Sequence, residues 1–74
     1  MTYIFKQLFN GPRWGVIKSD LPRRSAGEAY ARDWFIQHGY SIVLLDQDED
    51  NDAIDIMTAK HGDLYQFAIE CDHR

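Results

Sequence analysis

The chain has 74 residues, with 12 Asp/Glu against 8 Lys/Arg, a formal net charge of −4 and a single cysteine. This length predicts one domain, residues 1–74, with a limited core. Cys71 alone excludes an internal disulfide and fits a reducing cytoplasm. No charged leader runs into an apolar stretch, and no apolar run approaches the roughly 18 residues of a membrane span, so neither a signal peptide nor a transmembrane helix is expected.

Charge is unevenly placed along the chain. Residues 1–37 hold six Lys/Arg and three acids, and residues 38–74 hold two and nine, so the halves carry +3 and −7. An acidic half of this weight repels nucleic acid and attracts basic partners.

In chain order, "TYIFKQLF" alternates, with Tyr3, Phe5, Gln7 and Phe9 on one side and Ile4, Lys6 and Leu8 on the other, as a strand requires. "NGPR" is turn chemistry, and "WGVIK" returns as a second strand in which Gly15 marks a bulge or a close approach. Trp14 opposite Phe9 reads as a cross-strand pair. "SAGEAYARDWFIQHG" predicts a helix. Ser25 is its N-cap, Glu28 completes a capping box, Gly39 is the residue that ends it, and Tyr30, Ala31, Trp34 and Phe35 form an apolar stripe. "YSIVLLDQD", "DAIDIMTA" and "DLYQFAIECD" are three further strands. The fold class is α+β: an antiparallel sheet of about five strands with one helix packed on one face, in the order ββαβββ. The expected core is Tyr30, Trp34, Phe35, Val43, Leu45, Ile54, Ile56, Phe67 and Ile69.

Register follows from the last turn. If Lys60–Asp63 closes the hairpin, Ala59 pairs with Leu64, Thr58 with Tyr65, Ile56 with Phe67 and Ile54 with Ile69, which gathers one apolar face for the helix. The same logic puts Asp46 opposite Asp55, Leu45 opposite Ile56 and Asp48 opposite Ala53. Asp46, Asp48, Asp55, Glu70 and Asp72 then share the open face with Ile42, Leu44, Met57 and Leu64. Like charges directly opposite one another destabilise a sheet, so these acids turn outward into water or meet a cation or a basic partner.

Six of the ten residues in "DQDEDNDAID", Asp46–Asp55, are acidic. The start resembles a calcium loop, but Asn51 stands where that loop needs Gly and Met57 where it needs Glu. His38, His61, His73 and Cys71 lack the paired spacing of a zinc site. Arg13, Lys18, Arg23 and Arg24 with Trp14 make a small basic patch. Four charges on an acidic protein are a weak nucleic-acid footprint, so direct nucleic-acid binding is not expected.

The stretches "GEAYARDWFIQHGYSIV", "AIDIM" and "AIECD" carry a resemblance. The run from Gly27 to Arg74 resembles the first half of small bacterial proteins of the restriction-endonuclease-like, or PD-(D/E)xK, superfamily. That resemblance implies a metal-dependent nuclease in which Asp55 and Glu70 hold Mg²⁺ or Mn²⁺ and Glu28 is the helix acid. The family lysine falls on Asp72 here, and a carboxylate repels the phosphate that a lysine attracts. The helix and strand that complete such folds have no counterpart before Arg74. Catalysis is therefore not expected.

The sequence thus predicts a small acidic module, with no catalytic residue and no metal or cofactor. It binds a basic protein partner through Asp46, Asp48, Glu49, Asp50, Asp52 and Asp55. By analogy with other proteins of this size and charge, it serves as an inhibitor or accessory factor of a bacterial or phage nucleic-acid-processing system. Two alternatives stand beside it. One is a degenerate nuclease-like domain with Asp55 and Glu70 as catalytic and metal-binding residues. The other is a structural homodimer joined through the open sheet face.

Overall fold

The computed structural model describes residues 2–9, 13–48 and 53–72, and the side chains of residues 42–48 lie outside that description. Glu49, Asp50, Asn51, Asp52 and His73, singled out above, lie outside the described residues. The elements follow the expected chain order: β1 (Thr2–Leu8), β2 (Trp14–Leu21), α1 (Arg24–His38), β3 (Ser41–Asp48), β4 (Ala53–Lys60) and β5 (Asp63–Asp72). The class is α+β, one helix against an antiparallel sheet. In space the strands run β2-β1-β5-β4-β3, so the first strand is inserted beside the last. None of the described helix is long and apolar enough to cross a membrane.

The register read from the sequence holds through the last two hairpins. Ile54 faces Ile69, Ile56 faces Phe67, Thr58 faces Tyr65 and Ala59 faces Leu64. Leu45 faces Ile56, Asp46 faces Asp55 and Asp48 faces Ala53. His61 and Gly62 both have positive φ, 53° and 82°. A two-residue hairpin loop with two left-handed positions matches the twist of the strands it joins, which locks Lys60 opposite Asp63. One irregularity was not foreseen. The β3–β4 ladder slips at Val43, so Ile42 stands opposite Thr58, on the row that the sequence reading had assigned to the helix side.

The helix ends as expected and begins differently. Gly39 is left-handed at φ 78°. Its N–H bonds the Ile36 carbonyl and the Tyr40 N–H bonds that of Phe35, at 3.3 and 2.9 Å. This 5→2 and 6→1 pair closes the helix, with the Tyr40 ring packed edge-on to Phe35. At the other end the capping box does not form. The helix starts at Arg24 behind an extended Arg23 with no side-chain cap, and Ser25 already lies inside the first turn. The start is set instead by the strand before it. Asp20 adopts φ 59°, a conformation Asp tolerates better than most residues. Leu21 follows, buried and paired with Tyr3. The chain must therefore leave the sheet and begin the helix within a few residues.

Gly27, Ala31 and Phe35 form the buried stripe of α1. A Cβ on Gly27 would meet Ile69 Cγ2 at 2.9 Å, so this glycine lets the helix lie close on β5. Tyr30, expected in the core, sits at its rim at 36 % exposure, and Trp34 is only partly buried. Val43 and Leu45, also expected there, belong to the stretch whose side chains are outside the description. The described core also includes residues the sequence reading did not select, Phe5, Leu21 and Thr58, each buried.

The core is an aromatic cluster. Phe5 stacks on Phe67 at 5.6 Å between centroids and meets Phe35 and Trp34 edge-on at 5.6 and 5.7 Å. Tyr40 stacks on Trp34 and is edge-on to Phe67 and Tyr65. Such pairs add to simple area burial. Truncating Phe67 to Ala is expected to cost about 3–5 kcal/mol, a large share of the stability of so small a domain. Chemical denaturation checks this. The Thr58 hydroxyl is buried without a hydrogen-bond partner among the described residues. A buried unpaired hydroxyl costs about 1–3 kcal/mol. Thr58→Val, which keeps the shape and removes the polar atom, should raise the melting temperature by a few degrees.

Candidate functional site

The strand order turns a charge gradient along the sequence into one across the molecule. β2, with Lys18, forms one edge of the sheet, and Arg23 and Arg24 follow it at the helix entry. β3 and β4, with Asp46, Asp48 and Asp55, form the other edge. The positive and negative halves of the chain meet at the β1–β5 ladder, and Lys18 and the acids of β3 and β4 lie on opposite sides of it.

On the face away from the helix, one row runs unbroken across the sheet: Val16 pairs with Lys6, Lys6 with Ala68, Ala68 with Asp55 and Asp55 with Asp46. Asp55 is exposed, and it has no ion-pair partner among the described residues. The expected juxtaposition of Asp46 and Asp55 is therefore a feature of the backbone register.

Glu70 is on the same face but is engaged. Lys6 Nζ donates to its carboxylate, forming an ion pair with the lysine side chain 14 % and the glutamate 42 % exposed. The same ammonium lies 4.6 Å from the centre of the Trp14 ring. Sequence reasoning gave Lys6 no role. Alternation does place it opposite Phe5, on the open side, but its approach to Glu70 depends on β1 pairing with β5, which no local pattern announces. Asp72, at the superfamily's lysine position, stands opposite Thr2.

The other residues singled out are spread over the fold. Trp14 pairs with Leu8 rather than Phe9. The Phe9 ring lies over Gly15, where a Cβ would meet it at 2.4 Å, so Gly15 is a close approach. His38 stacks on Trp34 at 4.0 Å, with Nδ1 2.8 Å from the Trp34 carbonyl oxygen. His61 is in the β4–β5 turn, and Cys71 is free and buried. Met57, at the calcium loop's twelfth position, is paired with Gln66 inside β4, and strands flank the acidic stretch. Among the described residues no three His, Cys, Asp or Glu side chains lie close enough to share a metal ion.

The open face is also apolar. Val16 and Leu64 are 61 % and 63 % exposed there, and Trp14 is exposed as well. An open groove of about 480 Å³, lined by Gln7, Leu8, Phe9, Met57, Leu64, Tyr65 and Gln66, lies at one end of the sheet. Compared with known proteins, the chain matches no family model, and no curated protein or solved structure proves similar to it.

The Lys6–Glu70 pair can be weighed directly. A double-mutant cycle with Lys6→Met and Glu70→Gln should give a coupling of about 0.5–1.5 kcal/mol, above the exposed-pair median because the lysine is largely buried. The coupling should shrink as salt is added. Trp14 fluorescence should shift in Lys6→Met, which removes the cation over its ring.

Proposed function

We propose that this protein is a small binding module whose acidic β3–β4 edge receives a basic segment of another protein. The observation that carries the reading is the strand order β2-β1-β5-β4-β3, with the acid-rich strands together at one edge. Edge strands offer unpaired backbone groups to a partner, and carboxylates beside them favour a partner bearing Lys or Arg. Asp46, Asp48 and Asp55, with Glu49, Asp50 and Asp52 between the strands, supply the attraction. An inhibitor or accessory factor of a nucleic-acid-processing protein fits this chemistry, because carboxylates can occupy a basic surface shaped for phosphates.

Neutralising the corner tests the reading. In Asp48→Asn/Glu49→Gln/Asp50→Asn, relief of like-charge repulsion should leave the melting temperature unchanged or slightly higher. Association with an arginine-rich peptide should slow roughly three- to tenfold, with a flatter dependence on salt, because steering acts over a Debye length of about 10 Å at 0.1 M. The control Asp20→Asn/Asp33→Asn removes two acids far from this edge. Equal losses in the two variants would reduce the effect to net charge and overturn the assignment.

A second reading, metal-dependent phosphodiester cleavage through Asp55 and Glu70, is favoured by one observation, the face they share. Incubation with Mn²⁺ and single- or double-stranded DNA or RNA is expected to leave the nucleic acid intact. Cleavage abolished by Asp55→Asn would replace the binding reading with this one.

A further inference from the structure

We infer that the uncovered sheet face is the seat of a second copy of this chain, stacked face to face about a two-fold axis running along β5. This goes beyond the binding reading and does not rest on it, since a monomer could still bind through β3–β4.

The face calls for cover. The helix packs on one side only, and the other side presents Val16, Leu64 and Trp14 to water. Exposed apolar patches of this kind mark association surfaces. The molecule measures 36 × 26 × 20 Å. Its short dimension is about two layers at 10 Å each, one helical and one sheet. The broad dimensions then bound a face on the order of 800 Å², which is what a stable interface buries on each partner.

Charge and register select the second copy as the occupant and fix its orientation. β5 is the central strand of the sheet. Rotation about an axis along it, lying between two stacked sheets, lays β1 of one copy over β4 of the other and β2 over β3. The row Val16–Lys6–Ala68–Asp55–Asp46 then stacks on itself in reverse. Lys6 meets Asp55 of the second copy twice, and Ala68, the smallest side chain of the row and already buried by its own neighbours at 2 % exposure, lies at the axis without obstructing the contact. One row along, Leu8 lies over Met57. Glu70, also on the axis, is neutralised by Lys6 of its own chain. β1 and β2 of each chain, with Lys6 and Lys18, cover β4 and β3 of the other, with Asp55 and Asp46, and the surplus acid at β3–β4 stays available to an external basic partner. An axis running across the strands would instead stack β4 on β4 and press acid against acid. Sheets stacked this way align to within about 30° of one another, which keeps the rows nearest the axis in contact.

Sedimentation velocity over roughly a hundredfold range of protein concentration tests the assignment through mass action. The expected result is a reversible species of twice the 8.7 kDa chain mass. Leu64→Lys alters a residue already open to water and sets two lysines together at the axis, so it should weaken the dimer at least tenfold with the circular dichroism spectrum unchanged. Asp55→Lys, which faces Lys6 of the second copy, should weaken it too. Val16→Lys should be tolerated or tighten it, because it comes to lie over the acidic β3. A wild-type protein that stays monomeric throughout overturns the inference. So does a dimer indifferent to Leu64→Lys, which points to edge-to-edge pairing, or one lost with Val16→Lys, which points to the opposite axis. Asp55→Lys also alters the acidic edge, so the wild-type mass, Leu64→Lys and Val16→Lys are the outcomes that bear on the dimer and not on the arginine-rich peptide, whose binding is scored by the corner acids.

Discussion

Phe5 is the contact on which the rest of the structure depends. It is fully buried, stacked on Phe67 of β5 and met edge-on by Phe35 and Trp34 of the helix. It therefore ties the first strand, the last strand and the helix through one ring. At the ladder shifts between Tyr3, Phe5 and Lys6 the extra residues belong to β2, which bulges beside this ring. A domain of this size has few residues with which to exclude water, and it spends most of them here.

The parts legible in the sequence were those with a strong period and a turn that fixes phase. The hairpin around His61-Gly62 has both, and its register could be read pair by pair; the phase it fixes on β4 carries over to β3, where Asp46 stands opposite Asp55. The helix end at Gly39 was equally legible, because glycine there answers a local backbone need. The helix start was not. Ser25 and Glu28 offered a good capping box, yet the burial of Leu21 fixed where the chain had to turn, and a tertiary constraint outweighed a local preference worth about 1 kcal/mol. Tyr30 failed for a related reason. The stripe was placed correctly, but Gly27 brings the N-terminal part of the helix so near the sheet that only small residues fit beneath it, and Tyr30 is displaced to the rim.

For the candidate site, the acids themselves could be picked out from composition and alternation. Their arrangement relative to the basic residues could not. That depends on β1 entering between β2 and β5, which brings Lys6 to Glu70 and leaves Asp55 exposed. Non-local pairing of this sort leaves no mark on either strand alone. It is also why the two charged halves of the chain cancel only where they meet, at Lys6 and Glu70, while Lys18 and Asp55 stay on opposite sides of that ladder.

The pairing of Thr2 with Asp72 and of Phe5 with Ile69 has a temporal consequence. During synthesis β1 and β2 emerge first, yet β1 has only one neighbour until β5 leaves the ribosome. Until then the early hairpin exposes Phe5, and the helix has nothing to close upon. The closing contact joins residues more than sixty apart, and the loop entropy for it must be lost before the aromatic cluster gives anything back. This fold is therefore assembled late and nearly all at once, and the nascent chain carries its most adhesive ring uncovered for most of its time in the making.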